Sequence, residues 1–189
     1  LSASPRYFGP GLRVVSPAEN DLEGKLREAL EIVRQSGPDK RIAIEEKGWA
    51  IQPHLDVYNE YSRQMADYLA RSFIVARSVD ECEHYMWFQL IVRRLAGGAS
   101  YSLFRFEGDH ANPRPAAAAY AFVARFLAGA EQPRTIGLHS DLRAIVFAHG
   151  DGSRAALWTP REEMVSLEVD LPESAIVTDL MGGPVDLGD

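Results

Sequence analysis

The stretch Ile42-Ala43-Ile44-Glu45-Glu46-Lys47-Gly48-Trp49 constrains the fold more than any other part of the chain. Apolar residues give a short strand, two carboxylates end it, and Gly-Trp turns the chain away. A second strand-like run, His84-Tyr85-Met86-Trp87-Phe88-Gln89-Leu90-Ile91, follows after a helical segment. Strand, helix and strand in that order predict an α/β unit with parallel pairing, as in a (β/α) barrel. Such a unit presents an acid at the C-terminal tip of its first strand. The near absence of charge from His84 to Ile91 predicts burial on both faces.

The helices are read from their periods. Asn20-Asp21 opens one with a cap-type side chain. Leu22, Leu26, Ala29, Leu30 and Val33 then form its apolar face, with Glu23, Lys25, Arg27, Glu28 and Glu31 on the other. Ser36-Gly37-Pro38 ends it, with Gly37 expected in the left-handed region. Gly48 to Asp56 reads as a loop. A long helix is predicted from about Val57 to Arg77, with Tyr61, Met65, Tyr68, Leu69, Phe73 and Ala76 as its buried stripe. Residues 92–113 read as a long connection without regular structure. Arg114 to Leu127 reads as a helix with Pro115 in its first turn and small residues at Ala116 to Ala119.

After Gly129 the texture changes to short runs separated by turn residues. Leu142–Phe147, a Gly150-Asp151-Gly152 turn and Arg154–Thr159 predict a hairpin. Met164–Val169 and Ala175–Leu180 are further strand candidates. Together they predict a small antiparallel β-sandwich, and so two units, 1–131 and 132–189.

Charge narrows the function. The net charge is −7 over 189 residues and no Lys/Arg block occurs, which points away from nucleic acid. No run approaches the ~18 apolar residues of a membrane-spanning helix, so no membrane partner is expected. Cys82 is the single cysteine and reads as a packed residue. The chain starts at Leu1 and stops in turn chemistry, Met181 to Asp189; both ends are read as cuts through a longer protein. The compartment, cytoplasmic or secreted, is therefore left open.

The tip glutamates are the candidate chemistry. Successive strand side chains point to opposite faces, so Glu45 and Glu46 are not expected to straddle one sugar as an acid/base pair. The plain alternative is a strand-end carboxylate paired with Lys40, Arg41 or Lys47. His54 and Asp56 form a His-x-Asp pair, but no third ligand stands at suitable spacing. Neither metal nor cofactor is expected.

The string Arg41 to Trp49 resembles the strand-seven motif of retaining glycoside hydrolases built on a (β/α)8 TIM barrel, with the acid/base on strand four and the nucleophile on strand seven. Glu46 falls on the nucleophile position and Gly48-Trp49 match. Glu45 departs from the usual Thr and adds a negative charge. Gln64 to Ser72 resembles helix seven. Tyr85 to Leu90 resembles strand eight, whose aromatic forms the floor of the first sugar subsite. Pro113 to Tyr120 resembles the last barrel helix. Leu157-Trp158-Thr159 and Asp179 to Gly182 resemble the accessory sandwich of β-xylosidase-like members.

The resemblance implies the last strands and helices of a TIM barrel followed by a β-sandwich, as the C-terminal fragment of such an enzyme. Glu46 would attack the anomeric carbon of a carbohydrate substrate, and Trp87, Trp49, His54 and Tyr58 would contact it. The acid/base would lie in the missing N-terminal half of the barrel. Asn59-Glu60 sits in a predicted helix and is not assigned that role. Two rival readings stand beside it. One is a non-catalytic carbohydrate-binding or interaction protein. The other is an α/β enzyme that uses the tip glutamates as metal ligands.

Overall fold

The computed structural model describes residues 21–49, 60–79, 82–91, 101–107, 109–139, 142–150, 152–159, 166 and 168–186. Helix α1 spans Leu22–Gln35 and is capped by Asp21, whose carboxylate accepts the Gly24 N–H at 3.3 Å. Leu22, Leu26 and Leu30 form its buried face. Gly37 does not take the expected left-handed conformation. The helix instead closes in a tight last turn, with the Ser36 and Gly37 N–H groups reaching the Val33 and Arg34 carbonyls at 2.9 and 3.1 Å.

Strand β1 (Ile42–Lys47) pairs in parallel with β2 (Cys82–Trp87), and α2 (Glu60–Arg77) lies between them in sequence. Met65, Ala66, Leu69, Ala70 and Ile74 of α2 are buried. Its packing against α1, β2 and α3 explains why more than one stripe of it is covered. The expected start at Val57 and the side chain of Tyr61 lie outside the described residues.

Strand β2 departs from expectation. It ends at Trp87, and it is not buried on both faces: Met86 is 48% exposed, and Phe88, Leu90 and Ile91 beyond it are exposed as well. Helices α1 and α2 pack against this two-stranded sheet, which leaves these apolar side chains of β2 and the residues after it in solvent.

The connection expected to be irregular contains a hairpin, β3 (Phe104–Glu107) and β4 (His110–Pro113), paired antiparallel. The alternation in Phe104-Arg105-Phe106-Glu107 carried that signal. Arg114 is buried, with its guanidinium donating to the Ser102 carbonyl. Helix α3 (Pro115–Leu127) follows, and its small residues Ala116 and Ala119 are fully buried.

The C-terminal part is a three-stranded antiparallel sheet in the order β5 (Glu131–His139), β6 (Leu142–His149), β7 (Gly152–Trp158). Gly150 takes a positive φ of 57° at the β6–β7 turn. Of the further strands expected, most of Met164–Val169 lies outside the described residues. Ala175–Leu180 forms no strand beyond a single Thr178–Pro184 bridge. Its polar turn explains this: the Asp179 carboxylate accepts the Met181 and Gly183 N–H groups at 2.9 and 2.8 Å, a local alternative to a ladder. No second sheet of a sandwich occurs among the described residues.

One core crosses residue 131. Leu69, Ala116, Val123, Ile145, Phe147 and Trp158 belong to the same buried cluster. Phe126 of α3 meets Phe147 of β6 edge to face at 6.2 Å. The Arg154 guanidinium of β7 donates to the Arg125 and Phe126 carbonyls at 2.7 and 2.6 Å, satisfying the C-terminal end of α3.

Candidate active site

Because β1 and β2 run parallel, their C-terminal tips emerge at the same end of the sheet. Lys47 of β1 stands opposite Trp87 of β2, and the Phe88 N–H donates to the Lys47 carbonyl at 2.8 Å. Gly48 passes under this junction. A Cβ there would stand 2.3 Å from the Phe88 carbonyl oxygen, so the close approach requires glycine. The Phe88–Gln89 peptide bond is cis.

Glu45 and Glu46 are both exposed at this tip. In a strict two-residue period Ile42 and Lys47 fall on opposite faces, yet both are buried. The β1–β2 register shifts twice over this span, between Ile42 and Ala43 and between Ile44 and Lys47. Glu45 and Glu46 lie within this irregular stretch, between the paired residues Ile44 and Lys47. No ion pair to another described residue engages either glutamate, and the expected partner Lys47 is turned elsewhere.

Lys47 is 7% exposed, with its ammonium 4.9 Å from the centre of the Trp49 ring. Burial lowers its pKa below the ordinary lysine range, and the positive charge of Lys25 on α1 adds to this. Trp49 is 5% exposed and stacks on Trp87 with centroids 5.8 Å apart. The Trp87 ring is half-buried, and its indole N–H donates to the Tyr101 carbonyl at 2.9 Å.

Of the residues expected at the site, Glu46, Trp87 and Trp49 thus come together at one end of the sheet. His54 and Tyr58 lie outside the described residues. Lys47 and Tyr68 join the cluster without having been expected there, and Tyr101, a candidate border of the cleft on the segment after β2, joins it through its carbonyl. The only sequence signal for Lys47 was a lone cation in an otherwise apolar and acidic strand. Among the described residues no group of His, Cys, Asp or Glu has the arrangement of a metal site. Burial pushes the Cys82 thiol up to about 11, which keeps it protonated and poorly nucleophilic at neutral pH. Burial likewise raises the Tyr85 phenol.

By sequence, the chain matches no family model and no curated protein. By structure it is similar to a family 39 glycoside hydrolase from the gut symbiont Bacteroides cellulosilyticus WH2, with a TM-score of 0.66 and 20% identity. The match covers 87% of this chain and 34% of that one, so this chain spans about a third of its neighbour's length. At this identity the likeness is one of fold. The mixture of helices, a parallel strand pair and small antiparallel sheets is compatible with it.

Proposed function

We propose that this chain is the C-terminal part of a retaining glycoside hydrolase, β-xylosidase-like, whose earlier barrel strands complete the sheet and supply the acid/base. The observation that carries this reading is an exposed Glu46 at the C-terminal tip of a parallel strand, in a chain whose fold is like that of a glycoside hydrolase over most of its length. Catalytic groups of (β/α) barrels stand at that end of the strands.

In this reading the Glu46 carboxylate attacks the anomeric carbon as the glycosidic C–O bond breaks and the acid/base protonates the departing oxygen. The product is a glycosyl ester on Glu46. Water, deprotonated by the same acid/base, then displaces the sugar from Glu46. Retention needs the two carboxyls ~5–5.5 Å apart across the sugar. Glu45, the neighbour of Glu46, has no role in that pair. The half-buried Trp87 offers a flat apolar surface to the pyranose ring. His54 and Tyr58, on the segment that follows the tip, are proposed to complete the substrate contacts.

The test is turnover of aryl glycosides by the full-length polypeptide. Glu46→Gln is expected to cut kcat by a factor on the order of a thousand or more while leaving the melting curve unchanged. A non-catalytic carbohydrate-binding protein would show no turnover to lose, and its sugar binding would survive Glu46→Gln.

A further inference from the structure

Lys47, Trp49 and Trp87 contact one another in series. The ammonium lies over the Trp49 ring, Trp49 stacks on Trp87, and of the three only Trp87 is more than marginally exposed. Tyr68 of α2 holds Trp49 from a third direction, ring centroids 5.7 Å apart, and the Gln64 side-chain N–H donates to its hydroxyl at 2.9 Å. The hydrogen bond to Tyr101 fixes the edge of the Trp87 indole. Trp49, 5% exposed, has no face to offer a solute, but it stacks on Trp87, which is half-buried.

Burying an ammonium is costly, and a methionine or leucine would fill similar space without that cost. Attraction to the electron-rich face of an indole recovers part of it. The cation and the two rings therefore make sense as one layered unit. The geometry points to Trp49 as a positioning residue, backed by Lys47, that sets the plane of Trp87 as a platform for the apolar face of a pyranose ring. This rests on the glycosidase reading and refines it: Trp49 acts through Trp87 and does not touch sugar. A platform held on one face and one edge is already ordered, so substrate binding does not carry the cost of ordering it.

The test uses the full-length polypeptide and a panel of 4-nitrophenyl β-glycosides of xylose, glucose and galactose. Steady-state constants are compared for the wild type, Trp49→Phe, Trp87→Phe and the double variant. Trp49→Phe is expected to raise KM about threefold to tenfold with kcat little changed. In the Trp87→Phe background it should add nothing, because the two residues act as one unit. An unchanged KM, or effects that multiply independently, would overturn the inference. Should Trp49→Phe lose its cooperative melt, Lys47→Met carries the test: KM should rise about twofold to fivefold in the wild type and not in Trp87→Phe. No KM change in that variant overturns the inference equally. Absence of turnover in the wild type, or turnover that survives Glu46→Gln, instead overturns the glycosidase reading on which it rests.

Discussion

At the scale of single residues, Lys47 is the most informative side chain. Its charged form is disfavoured in the folded chain, so its folded pKa lies below its unfolded one. Between those two values the unfolded chain binds more protons. Stability contributed by this group must therefore rise as pH climbs from its folded pKa to the ordinary lysine value, and be lowest below that window. Lys47→Met should remove the rise and raise the melting temperature at neutral pH, measured by thermal melts across the alkaline range. A drop in stability at neutral pH would show that the ammonium contributes more than it costs. The lone cation was visible in the sequence, but its burial was not. That depends on the irregular register of β1 against β2 and on an aromatic floor assembled from α2, β2 and the segment at Tyr101.

At the scale of elements, local patterns were legible and long-range ones were not. The three-and-four spacing from Leu22 to Val33 gave α1, and the Gly150-Asp151-Gly152 turn gave the β6–β7 hairpin, because both are decided by neighbours in sequence. The exposure of β2 depends on what packs above it, and composition could not report that. The cap on α3 comes from Arg154, on another element entirely. Losing it should leave the last carbonyls of α3 to water and uncouple the sheet from the helix. Arg154→Ala is expected to cost about 1–2 kcal/mol, read as a fall of a few degrees in melting temperature. A change within error would mean that water replaces the guanidinium without loss. Gly48→Ala should be more damaging than its exposed neighbour Glu45→Ala, because a Cβ at Gly48 collides with the Phe88 carbonyl and must pry the two strand tips apart. Equal melting temperatures for the two variants would contradict the tight junction.

At the scale of the whole molecule, the end of the parallel sheet carries exposed apolar side chains. Met86, Phe88, Leu90 and Ile91 leave apolar surface in solvent, and among the described residues β1 and β2 pair with no further strand. The 189-residue chain on its own should self-associate, with a sedimentation coefficient that rises with concentration; a concentration-independent monomer would contradict a sticky role for this exposed surface. In the proposed reading the preceding barrel strands cover this surface, and the same closure brings an acid/base opposite Glu46. The most direct measurement is covalent trapping: the full-length polypeptide treated with a 2-deoxy-2-fluoro β-xyloside carrying a good leaving group, digested, and mapped by mass spectrometry. The account predicts the fluoro-sugar mass on the peptide containing Glu46, and its loss in Glu46→Gln. An enzyme that turns over xylosides but carries the label on any other carboxylate would contradict it.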